Sequence, residues 1–123
     1  MLINLRIPIF AAGIQHALTE QRPDWCIEIL PGADHIAALC REKQPDALLL
    51  EVLPRESWTI EQRLGICQEI RQTVPTCKLC MMVNEDEKKL VEATIQAKQN
   101  GQIDAFVFED ISSAYLAAVI DCL

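Results

Sequence analysis

The run Pro45-Asp46-Ala47-Leu48-Leu49-Leu50-Glu51-Val52-Leu53-Pro54 limits the fold more than any other stretch of the chain. Read as an extended strand, it is apolar on both faces. Such a strand is stable only at the centre of a sheet covered by helices on each side.

The flanking sequence supplies the other layers. Leu2 to Arg6 reads as a strand, and Pro8 suits the first turn of a helix with Phe10, Ile14, Ala17 and Leu18 on one face. After Pro23, Trp25 to Leu30 reads as a second strand, and Pro31-Gly32 as a turn. Asp34 is placed to cap a helix that turns Ile36, Leu39 and Cys40 inward. Beyond the central run, Thr59 and Gln62 form a capping-box pattern ahead of a helix bearing Ile60, Leu64, Cys67 and Ile70. Cys77 to Val83 is the fourth strand. Asn84 and Glu87 make a second capping-box pattern, for a helix burying Leu90, Val91, Thr94 and Ile95 and stopping near Asn100-Gly101. Ile103 to Phe108 is the fifth strand, and Asp110 or Ser112 caps a last helix carrying Tyr115, Leu116, Val119 and Ile120. Strands and helices alternate throughout, and right-handed crossovers make that an α/β fold with a parallel sheet. At 123 residues, 1–123 is expected to be one domain.

Several function classes are disfavoured. A net charge of −7 argues against a nucleic-acid surface, since phosphate binding needs a basic patch. No apolar run approaches the ~20 residues of a membrane span, and the N-terminus shows no export leader, so a cytoplasmic protein is expected. The six cysteines do not suggest a disulfide scaffold. Cys26, Cys40, Cys67 and Cys122 sit in apolar-periodic stretches and read as core residues. Cys77 and Cys80 form a CxxC, but on a strand residues three apart face opposite ways. His16 and His35 are isolated, so no zinc set is apparent. The turn after the first strand lacks a glycine-rich phosphate loop, and no Ser-His-Asp or GxSxG arrangement is visible.

The central run, with its PD start, nearby proline and acidic residue, resembles the third-strand signature of response-regulator receivers. Pro8-Ile9-Phe10-Ala11-Ala12-Gly13-Ile14 is similar to the first-helix start of receivers attached to helix-turn-helix transcription factors of the LuxR/NarL type. Asp104-Ala105-Phe106-Val107-Phe108-Glu109-Asp110-Ile111-Ser112 resembles their DGYLLKDIS segment. The resemblance spans the chain and implies a flavodoxin-like three-layer sandwich with strand order 2-1-3-4-5. It implies a functional site at the carboxyl ends of the strands.

At the positions that carry receiver chemistry, the residues differ. The adjacent metal-binding acids correspond to Leu5 and Arg6, and the phospho-accepting aspartate to Glu51. The hydroxyl residue ending strand four corresponds to Met82, and the lysine ending strand five to Glu109; the switch aromatic is retained as Phe106. The expected result is a degenerate, non-catalytic receiver that needs no Mg²⁺ or other cofactor. Glu51 reads either as a permanent stand-in for phospho-aspartate or as a drifted residue. An Arg6–Glu51 ion pair is expected in place of metal and phosphoryl group. Glu109 has no evident partner, Met82 reads as packing, and Trp58 as a cap on the core. The expected partners are proteins: a second copy, a sensor kinase, or a DNA-binding output domain beyond Leu123. Alternatives are a working phospho-acceptor at Glu51 and a small-ligand sensor using the vacated pocket.

Overall fold

The structure, a computed structural model, describes residues 1–123. The chain runs β1 (Leu2–Asn4), α1 (Pro8–Gln21), β2 (Glu28–Ile29), α2 (Ile36–Lys43), β3 (Ala47–Glu51), α3 (Ile60–Thr73), β4 (Lys78–Val83), α4 (Lys88–Gln99), β5 (Ala105–Phe108), α5 (Ser113–Asp121). All strands pair in parallel in the order β2-β1-β3-β4-β5, with β3 in the middle. Asn4 lies opposite Leu50, Glu51 opposite Met82, and Val83 opposite Phe108, so the carboxyl ends line up along one side.

Strand alternation divides the interior into two cores. Leu2, Leu48, Leu50, Leu79 and Met81 pack under α2, α3 and α4 against Ile36, Cys40, Ile60, Cys67 and Ile70. Ile3, Leu5, Leu49, Met82 and Val107 face the other way, against Ala11 and Leu18 of α1 and Leu116 and Ala117 of α5. All five residues of β3 are buried, as its two-faced apolar run requires. Cys77 and Cys80 fall in different cores, so their sulfurs diverge. All six cysteines are free, and four are buried, but Cys26 and Cys122 are exposed, against expectation. Cys26 precedes the short β2, and Cys122 follows the last full turn of α5.

The helix ends are partly as the residues suggest. Pro8 opens α1, the Thr59 hydroxyl accepts from the Gln62 N–H, and Ser112, rather than Asp110, accepts from Tyr115 N–H. Gly101 takes φ +75 after α4, the left-handed conformation that favours glycine. Asp34 does not cap α2; His35 holds that place with φ 64 and no side-chain bond. Asn84 does not cap α4 either, because its Oδ1 accepts from the Asp86 N–H in a turn that delays the helix to Lys88. β2 shrinks to two residues because it pairs only with Leu2 and Ile3 of a short β1.

Two helical faces also differ from expectation. In α4 the inward stripe is Leu90, Thr94 and Ala97, spaced at one and two turns, while Ile95 is rotated outward and 38% exposed. In α3 the fully inward stripe is Ile60, Arg63, Cys67 and Ile70, with Leu64 at its flank. Tyr115 of α5 is 59% exposed rather than part of the core.

Candidate functional site at the carboxyl ends of the strands

A cleft of about 250 Å³ opens where β1, β3, β4 and β5 end, and Arg6, Glu51, Arg55, Asn84, Glu87 and Glu109 supply its polar lining. Glu51 is the last residue of β3 and only 4% exposed. Its Oε1 accepts the backbone N–H of Arg6 at 2.6 Å. The expected Arg6–Glu51 ion pair is absent: the Arg6 side chain is exposed and makes no ion pair. The physical reason is local. The residue after a strand end already offers its amide to the neighbouring strand end, which satisfies a carboxylate oxygen without ordering a long cationic side chain.

Glu109 is not solitary. Its Oε2 accepts from Asn84 Nδ2 at 3.4 Å, and its carboxyl lies within hydrogen-bonding reach of Glu51. Burial, the charge of Glu51 and the shared hydrogen bond with it hold the Glu109 carboxyl above the usual carboxylate range, while Asn84 acts in the other direction. A β5-end cation would have neutralised Glu51; a glutamate there sets a second carboxylate beside it.

Leu5 is 3% exposed in the α1/α5 core, and Met82 is 1% exposed in the same layer. Neither turns a polar atom toward the cleft. With Leu5 apolar and Arg6 cationic, the end of β1 contributes no side-chain oxygen to the cleft. Phe106 is half-buried beside Phe108, the rings 6.0 Å apart and near edge-on at 70°. It packs from the rim against the α2/α3/α4 core and does not line the cleft.

Two residues missed by the sequence reading border this end of the sheet. Asn4 is fully buried and ties β1 to the β2–α2 turn, donating from Nδ2 to the carbonyls of Leu30 at 3.0 Å and Gly32 at 2.6 Å. Arg63 is fully buried, with its guanidinium 4.0 Å from the centre of the Trp58 ring and no hydrogen-bond partner on any of its nitrogens. Burial pulls its pKa down to about 10, against the smaller opposing influences of Cys67 and Glu51. The signal for Arg63 was present in the spacing: it stands three residues after Ile60 and four before Cys67, at the middle of the buried stripe. Charge alone argued it outward. Trp58 is 8% exposed and does cap the core, over that arginine.

No family model and no curated protein sequence matches the chain. Solved structures do. A LuxR-family two-component response regulator from Aurantimonas sp. SI85-9A1 superposes with a TM-score of 0.75 at 17% identity, covering 98% of this chain and 81% of that one. The receiver domain of AraT, a response regulator from Geobacillus stearothermophilus, gives 0.71 at 18% identity, covering 98% and 88%. The signal receiver domain of a NarL response regulator from Mycobacterium tuberculosis gives 0.70 at 19%, covering 98% and 92%. The chain therefore has the five-stranded, flavodoxin-like fold of response-regulator receiver domains.

Proposed function

We propose that this chain is a signal-transduction regulatory domain that works through protein contacts and without phosphoryl transfer. One observation carries the reading: Glu51, at the end of β3, is bonded to a backbone amide and faces a second carboxylate, Glu109. Phosphoryl transfer to a carboxylate needs a metal and a cation to offset charge developing on the phosphoryl oxygens. Here Leu5 and Arg6 occupy the metal-binding positions of the resemblance, and Glu109 occupies that of the lysine. A phosphoryl group entering the cleft would meet a second negative charge. Glu51 then acts as a fixed carboxylate that holds the ends of β1 and β3 together, and Phe106 stands where receivers carry their switch aromatic.

The partners that fit this reading are proteins: a second copy, a sensor kinase, or an attached DNA-binding output domain. The net charge of −7 weighs against nucleic-acid contact by these residues themselves. The test is incubation with acetyl phosphate and Mg²⁺, followed by intact mass. The expected result is no phosphoryl adduct, with a conventional receiver labelled in parallel. An adduct that maps to Glu51 and disappears in Glu51→Gln would overturn the proposal.

A further inference from the structure

Charged side chains of both signs line the cleft at the carboxyl ends of the strands, and none of them is paired. Arg6 and Arg55 are cationic; Glu51, Glu87 and Glu109 are anionic. The ion pairs of the molecule all lie elsewhere, between His16 and Glu20, Arg22 and Asp121, Lys43 and Glu28, and Arg71 and Asp104. The cleft therefore holds its opposite charges apart.

The two signs also differ in depth. Glu51 is 4% exposed, and Glu109 is half-buried, with Asn84 Nδ2 donating to its Oε2 at 3.4 Å. Arg6 and Arg55 are exposed, as is Glu87. The one hydrogen-bond donor to Glu51 is the neutral Arg6 N–H, at 2.6 Å, so a nearly buried carboxylate lines the cleft without a counter-ion. Burying an ionised group is costly unless an opposite charge offsets it. A lone anion entering the cleft would meet three carboxylates, and a lone cation would leave both guanidinium groups unanswered. A molecule carrying one charge of each sign answers both.

We propose that the cleft binds a small zwitterion, an amino acid, with its ammonium group on Glu51 and Glu109 and its carboxylate on the guanidinium groups of Arg6 and Arg55. An ammonium group has three donors to share between two carboxylates, and a guanidinium fork matches a carboxylate. The cleft volume of about 250 Å³ is below the ~300 Å³ at which pockets for drug-sized ligands begin, which restricts the ligand to a few heavy atoms. This names the ligand of the site and rests on the reading of Glu51 as a carboxylate that stays unmodified.

The test is titration of the native protein with L-alanine and with γ-aminobutyrate, whose charges are set at different separations. Proton–nitrogen NMR reads the Arg6 backbone amide, which holds Glu51, and the Asn84 side-chain amide, which holds Glu109. Butylamine and butyrate supply each charge alone. The expected result is a saturable shift at both amides with at least one of the amino acids, with affinity at least about tenfold tighter than for butylamine or butyrate. Glu109→Gln, and Arg6→Met combined with Arg55→Met, should each weaken that binding by about tenfold. No saturable shift with either amino acid, or unchanged affinity in both variants, would overturn the proposal. So would equal affinity for butylamine, which would make the cleft a seat for a lone cation such as a partner's lysine, or equal affinity for butyrate. The acetyl phosphate assay fails separately: an adduct there with amino-acid binding intact removes the reading of Glu51 and leaves the binding site, whereas no adduct and no binding removes the binding site alone.

Discussion

Glu109 makes the end of the sheet respond to acid in a defined direction. Glu109's carboxyl is held above its ordinary value by burial and by Glu51, so the native state binds its proton more tightly than the unfolded chain does. Its favourable contribution is present below the unfolded value of ~4.3 and is lost as pH rises through the raised native one. At neutral pH the pair is a mild liability. Glu109→Gln is expected to stabilise the protein at pH 7 by less than about 1 kcal/mol, with the gain shrinking towards pH 4 in urea unfolding. Arg6 gives a contrasting outcome, because its contact with Glu51 is made by the backbone. A double-mutant cycle of Arg6→Met with Glu51→Gln should return a coupling energy within about 0.5 kcal/mol of zero. Arg63→Met belongs with them. Replacing an unpartnered buried guanidinium by an apolar chain of similar length should raise the thermal midpoint, by differential scanning calorimetry, since no hydrogen bond is lost.

Among the elements, α3 most clearly joins stability to the site. Its N-terminus is fastened by Thr59, whose hydroxyl meets both the Gln62 amide and its side-chain oxygen. Thr59→Ala should cost about 1 kcal/mol in chemical denaturation, a typical loss for an N-cap. Because Trp58 is the preceding residue, the same change should loosen the cover over Arg63 and speed exchange at the Trp58 amide. The inward stripe of α3 explains why its face was hard to assign: Ile60, Cys67 and Ile70 are apolar, and the residue completing the stripe is an arginine. Hydrophobic periodicity passes over a charged residue at a buried position and selects the neighbouring leucine. In α4 the same rule misassigned Ile95. There a small Ala97 and a threonine whose hydroxyl returns to the Leu90 carbonyl fill the space against β4 and β5.

For the molecule as a whole, the buried thiols set an alkaline limit. Burial raises Cys40 to about 11, and Cys67, Cys77 and Cys80 to about 12, so the native state keeps these protons after an unfolded chain has begun to lose them. Their contribution is complete below the ordinary thiol value of ~8.5 and falls as pH rises through the native values. The urea midpoint should therefore decline between pH 9 and 11, and Cys67→Ala should make that decline shallower. The sequence by itself determined the architecture. The two-faced run Ala47 to Leu50 demands a central strand, and prolines, glycines and apolar spacing mark out the five βα units around it. These signals are local, and each is repeated along an element, so single exceptions do not erase them. The pairing of groups at the carboxyl ends was decided only by the tertiary structure. Whether Glu51 meets the Arg6 guanidinium or its amide, whether Glu109 points to water or to Glu51, and whether Arg63 lies inside or out all depend on ångström-scale positions of strand ends far apart in sequence. Charge type along the chain carries no record of those distances, and electrostatic energy depends on them directly.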